Sequence, residues 1–461
     1  MSGKPMKVKA TQDRLGTKSI GALLAEFSIP ATVGMLVNAI YNIVDRIFIG
    51  NAEGIGSIGL TALTVSFPIM MIMMGLALMF GAGGAALFSI RLGERDRDGA
   101  EQILGNSIMM IFVTSFLFMV FALLNLEKLL WLFGAREISM PYAVEYMRII
   151  LYASVLQGPS VGMNHFMRAD GSPKTAMVSM FIGAGFNIVF DYVFIFLFDM
   201  GMTGAALATI GGQGLSAIWG IAYFRSKRSN MKLRLKYLRL KAHRVRTIVL
   251  AGLPSFTNQI SGSLLNLILN NSLRIYGGDV AIGGMGAIGS LQQLLVLPTI
   301  GISHGAQPII GYNRGAGNYR RIKETLAKAI SAATVVALIG FTATRLFPGT
   351  LIGFFGKEKE FLEFGAKAIG VWLMMLPMLG VQIIGALYFQ AIGRPKISLL
   401  LTLCRQILIL IPMLLILPNL FGLRGILISA PIADAISFVI TGSFLLVELK
   451  RLNHHIDKGF L

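Results

Sequence analysis

Asp191 stands inside Val178–Phe198, a run otherwise so apolar that a carboxylate there needs a reason. Asn187 precedes it by four positions. On a helix that spacing puts both side chains on one face, where the amide can steady the carboxylate. Asp45 is a second such acid, near the end of the apolar run from Ile20 to Gly50, with Tyr41 one turn earlier on the same face. An acid inside a membrane helix costs about 2.5–3.5 kcal/mol on insertion scales and ordinarily faces a watery cavity or a proton relay. At about 1.5 Å per residue from helix starts near Gly21 and Pro173, both acids reach the outer half of a bilayer. Two carboxyl groups at one height can share a proton or a cation, which is the chemistry of ion coupling. The plainer alternatives are an Asp45 that is solvated or paired with Arg46, and an Asp191 satisfied where it is buried.

The composition supports a membrane setting. The chain has 461 residues, 55% apolar and 14% charged, whereas charged residues make up about a quarter of a soluble protein. Its 53 glycines suit helices that approach closely in lipid. A net charge of +19 invites a nucleic-acid reading. The basic residues nevertheless fall in short stretches between long apolar segments, which is how membrane topology is written. One cysteine, Cys404, excludes an intramolecular disulfide and a multi-cysteine metal site. There is no His/Glu metal spacing, no nucleophile with a base one turn away and no P-loop. An enzyme is not expected, and neither is a cofactor or any metal beyond a coupling Na⁺.

At about 20 apolar residues per span the chain divides into twelve transmembrane helices, the first centred near Leu36 and the last near Val439. The predicted fold is all-α and polytopic. Residues 1–18 form a basic arm, 19–225 and 247–449 two six-helix lobes, 226–246 a basic linker and 450–461 a tail. Alternation of sides puts the arm, the linker and most of the 41 Lys and Arg residues on one face. The positive-inside rule makes that face, and both termini, cytoplasmic. The linker, from Arg225 to Arg246, reads as a connector lying against anionic lipid.

The lobes repeat one another. Ala169-x-Gly171-x-Pro173-Lys174 recurs as Ala391-x-Gly393-x-Pro395-Lys396, Gly93 recurs as Gly315, and Pro30 has its counterpart in Pro254. With an even number of spans each, the two are parallel repeats expected to surround a central cavity. Moving Asp45 and Asp191 by the same interval lands near Leu269 and on Met413, so the acids belong to the N-terminal lobe alone.

Taken together, Pro30, Asn38, the stretch Tyr41-Asn-Ile-Val-Asp45-Arg, the Gly81–Gly84 cluster, Arg168-Ala-Asp-Gly-Ser-Pro-Lys174 and Asn187-x-x-x-Asp191 resemble the multidrug and toxic compound extrusion (MATE) transporters. The resemblance runs from about Ile20 to Leu449 and is nearest to the branch with coupling carboxylates in the N-terminal lobe. The branch with acids in its seventh and tenth spans is not matched: Pro254–Ser263 and Val371–Ala391 hold none. The resemblance implies outward export of cationic or amphipathic organic compounds against inward H⁺ or Na⁺. The runner-up is a flippase for lipid-linked saccharides, which would want several cations inside the spans where Arg405 is the chief candidate. The setting is expected to be the plasma (inner) membrane of a prokaryote, the partners lipid and small molecules, and the working form a monomer.

Thr209, in a run similar to the family's, is expected to add an oxygen beside Asp191, although a lone membrane threonine commonly bonds its own backbone. Pro30 removes a helix hydrogen bond and is expected to act as a hinge following the charge of Asp45, against the plainer reading of a static kink. Asn38, Phe67, Met71 and Phe166 are candidates for the substrate cavity. The methionines of Pro68–Gly75 suit an adaptable surface, or simple packing. Arg405 and Asp434 fall near the midplane of the last two spans, where a structural ion pair is expected.

Overall fold

The computed structural model describes residues 14–52 and 55–458. Most of the basic arm and the last residues of the tail lie outside them. Among the described residues the chain is helical and has no strand. Eight helices are long and apolar enough to cross a membrane, and nine if Lys359–Trp372 and Leu376–Ala391, bent by 50°, form one span. A count of twelve further requires Met140–Ala169, Ala242–Tyr276 and a division of the long run Pro395–Asp457, which leaves helical geometry at Gly422. Met140–Ala169 is harder to recognise from composition because Glu145 and Arg148 sit in its outer turns.

Two compact units emerge, one built on Val33–Gln259 and the other on Lys18–Thr32 with Ile260–Leu461. Two helices therefore serve both. Ile20–Asn51 changes unit just after Pro30, and Ala242–Tyr276 changes unit a turn after Pro254. Within the second unit the leading half of the first helix lies against Gly305, which leaves no room for a Cβ beside Ser28. Within the first unit Gly252 lies against the backbone of Met79 in the same way.

The repeat is visible in backbone torsions. Left-handed residues recur 222 positions apart at Gly56 and Gly278, Arg95 and Gly317, and Gly171 and Gly393. At the same interval Asp96 caps a helix by accepting from the Gly99 amide at 2.8 Å, and Asn318 does so from the Arg321 amide at 3.4 Å. These are the turns that fix where each helix starts, so the two units inherit one set of helix boundaries.

The linker is held by protein. Buried Asp170 accepts from the Tyr223 hydroxyl (2.6 Å), the Ser229 hydroxyl (3.1 Å) and the amides of Asn230 (2.9 Å) and Met231 (3.3 Å). Glu101 accepts from the Lys232 amide at 3.0 Å and pairs with Arg234 at 2.8 Å. Asn106 donates to the Tyr237 carbonyl at 2.9 Å and accepts from the Lys241 amide at 3.0 Å, while the Tyr237 hydroxyl reaches Asp98 at 2.7 Å. The linker's backbone donors and acceptors find partners on the helix ends of the first unit, which turns a basic run into a fixed strap.

Candidate functional site

Four helices of the first unit meet around Asp45 and Asp191. The seam between Pro173–Tyr192 and Gly201–Arg225 shows how they are brought there. Gly183 and Gly212 face each other with no room for a Cβ on Gly212. One turn away Ser216 donates its hydroxyl to the Ser179 carbonyl at 2.8 Å, and Ser179 returns a bond to the Ser216 carbonyl at 3.3 Å. Small residues let the backbones approach, as they do between helices in lipid. The approach carries Asn187 to within 3.3 Å of the Thr209 hydroxyl, to which its Nδ2 donates. Immediately after Asp191 the helix widens into a π-turn over Val193–Leu197, a feature common at functional sites. Phe196 of that turn packs edge-on against Phe48, at 5.6 Å between ring centres, and ties it to the helix that bears Asp45.

Asp191 is fully buried and Asp45 nearly so. Each carboxyl group lies within electrostatic reach of the other. No described donor makes a well-aligned hydrogen bond to Asp45 Oδ1 or to either oxygen of Asp191. Asn187 Oδ1 is also open. Among the described residues no ion pair joins Arg46 to Asp45; Arg46 lines a separate cavity of about 550 Å³ with Ile47, Leu60 and Thr64. A cluster of buried acceptors without matching donors is a place built to receive a cation or a proton.

Tyr41 lies within electrostatic reach of both acids, with the Gln213 side chain beside its hydroxyl. Buried Tyr146 lies next to Thr209 and within electrostatic reach of Tyr41 and both acids. Tyr146 and Gln213 belong to the cluster and were not singled out from the sequence. Gln213 is one turn beyond Thr209 and was open to recognition by spacing; Tyr146 gives no local signal, because only tertiary packing brings it there.

The remaining candidates lie elsewhere. Phe166 is buried at the opposite end of its helix, edge-on to Phe88 at 5.5 Å, and fills the core rather than a cavity. Asn38 is half-buried, and its carbonyl accepts from Asn42 at 2.6 Å. Phe67 is exposed and Met71 half-buried. Pro30 falls in the second unit, two residues before the first helix changes unit. In that unit Arg405 donates its Nε–H to Asp434 at 2.7 Å, while Gln382 donates to the Asp434 carbonyl at 2.8 Å. Arg405 lies in the other π-turn, Cys404–Leu410. Among the described residues no group of three or more His, Cys, Asp or Glu could hold a metal ion.

The MatE family profile matches residues 30–193 and 254–446, one stretch in each repeat and most of the chain. The chain belongs to the MatE family. It is a polytopic membrane transporter, not an enzyme. Among curated relatives, the multidrug export protein MepA of Staphylococcus aureus is 27% identical over 438 residues, covering 95% of this chain and 96% of MepA. The MATE multidrug transporter DinF-BH, solved with a bound ligand, is 38% identical with a TM-score of 0.88, over 94% of this chain and 97% of that one. A crystal structure of MATE in complex with MaL6 has the same fold, with a TM-score of 0.90 at 23% identity, over 98% of this chain and 100% of that one. The bacterial relatives place the MatE chain in a plasma membrane.

Proposed function

We propose that this transporter exports cationic or amphipathic organic compounds in exchange for inward-moving H⁺ or Na⁺, and that Asp45 and Asp191 carry the coupling ion. Two buried carboxyl groups with open oxygens, within electrostatic reach of each other, are the observation that supports this most. Tyr41, Asn187 and Thr209 complete the site, and we add Tyr146 and Gln213. The relatives lend the substrate class: MepA is named a multidrug export protein, and DinF-BH a multidrug transporter.

In the proposed cycle the transporter, built as two six-helix lobes, 19–225 and 247–449, takes up a lipophilic cation and opens outward. H⁺ or Na⁺ arriving at the acid pair removes its negative charge, the held cation loses its electrostatic partner, and the coupling ion returns inward with the reset. Pro30, beside the point where the first helix changes unit, supplies the bend. The arm 1–18, the linker 226–246 and the tail 450–461 then face the cytoplasm, twelve spans cross the membrane, and one copy suffices. Phe67, Met71 and Asn38 are left as candidate cargo contacts. The flippase reading finds less support, because Arg405, the cation it would rely on, already serves Asp434.

Efflux of a fluorescent organic cation from proteoliposomes, with the proton and sodium gradients imposed separately, tests the reading. One gradient should drive efflux, and Asp45→Asn with Asp191→Asn should reduce it to background in a protein that unfolds at an unchanged temperature. Retained gradient-driven efflux in that double variant would falsify the assignment. Pro30→Ala should slow transport at equal amounts of folded protein, and an unchanged rate removes the hinge.

A further inference from the structure

At the repeat-related end of the second unit the last turns of the helix Ile411–Asp457 stand where the first unit has its strap, and the side chains that anchor the strap are not kept there. The positions 222 beyond Asp98, Glu101 and Asn106 are Arg320, Lys323 and Lys328, and the position beyond Asp170 is Ile392. Ser172 and Ser229, both at the strap contact, correspond to Arg394 and Arg451. There Lys323 donates to Asn453 at 2.8 Å, Tyr319 stacks on His455 at 4.6 Å between ring centres, and Arg321 donates to the Lys18 carbonyl at 2.6 Å.

What remains is a basic notch lined by Arg314, Tyr319, Ile392, Arg394, Glu448 and Arg451. Arg394 donates to buried Glu448, and Arg314 donates to the Tyr319 hydroxyl at 2.7 Å. Arg451 stands 3.8 Å from the same carboxylate, beyond hydrogen-bond distance, so its guanidinium donors are free. Its side chain is 54% exposed. Three guanidinium groups and one carboxylate line the notch, a net charge of about +2 that suits the oxygens of a phosphate. The enclosed void is about 20 Å³, room for a water and no more, which places a ligand at the mouth of the notch.

We propose that this notch binds the phosphate of an anionic lipid headgroup. The approach favours a lipid over a dissolved anion. Leu446 and Val447, among the most exposed apolar residues of the same helix, lie one turn before Arg451. An acyl chain lying along them brings its headgroup to the arginines, as basic pockets at helix ends do for anionic lipids.

Thermal unfolding of the full-length protein in detergent tests this, with added phosphatidylglycerol, phosphatidylcholine or inorganic phosphate. Phosphatidylglycerol should raise the unfolding temperature and the other two should not, since a ligand stabilises only the state it binds. Arg314→Gln with Arg451→Gln should remove about half or more of that increment, and so, to a smaller extent, should Arg451→Gln alone, whose exposed side chain is not needed for folding. Lys227→Gln with Arg228→Gln, exposed cations of the strap, should leave the increment whole. An equal response to inorganic phosphate, an increment that survives both arginine variants, or an equal loss in the strap variant overturns the site.

Discussion

The two units descend from one repeat and treat a buried acid in opposite ways. In the first, Asp45 and Asp191 are both buried, with oxygens that no described donor fills. In the second, Asp434 is answered by Arg405 at 2.7 Å. A pair that is internally neutral offers an arriving cation little, because its charge is already balanced. A pair of like charges can be completed only by a proton or a cation from elsewhere. Duplication supplied two equivalent scaffolds that differ in charge pairing, and the proposed division of work between ion coupling and structure rests on that difference.

The largest expected contrast comes from neutralising each pair in turn. Asp45→Asn with Asp191→Asn takes efflux of the fluorescent cation to background, while Arg405→Gln with Asp434→Asn keeps most of it. Loss of efflux in the second case would bring the second unit into the coupling chemistry. Stability should show the reverse. Arg405→Gln alone strands a buried carboxylate and should cost about 3–5 kcal/mol in unfolding free energy, most of it recovered when Asp434→Asn is added. A single variant no less stable than the double one refutes the structural role of the pair.

A smaller effect separates the two basic ends. Burial pushes the Asp170 carboxyl up to about 7, and its hydrogen bonds from Tyr223, Ser229, Asn230 and Met231 oppose this without cancelling it. The folded state therefore keeps its proton where the unfolded chain has lost it. By linkage, stability from this residue falls as pH rises from about 4 to about 7 and is level above that. Unfolding temperatures measured across that range should decline in the parent and flatten in Asp170→Asn. The same slope in both would exclude Asp170 as its source.

Much of the candidate site was legible because an acid in an apolar run has no local partner to hide behind. Asp45, Asp191 and Asn187 declare themselves by type and spacing, and the repeat declares itself through turns that demand particular residues, such as Gly171 and Gly393. Tyr146 was illegible, since nothing around it in sequence is unusual. The strap misled for a related reason. A run of cations reads as solvated or lipid-bound, whereas its anchors, Glu101 and Asp170, lie more than 50 residues away in sequence and pair through backbone amides that composition does not reveal. Phe166 shows the limit of reading aromatics, because depth in the bundle separates a core ring from a cavity wall.

The two helices shared between units have a consequence during synthesis. The leading turns of the first helix, Lys18–Thr32, belong with a body whose other residues begin at Ile260. They leave the ribosome well before anything exists for them to dock on, while the first unit is not closed until Gln259 has been made. Neither half is a self-sufficient product of its own stretch of message. A nascent chain halted inside the strap should therefore hold an unpaired helix end, a natural handle for insertion factors and for quality control.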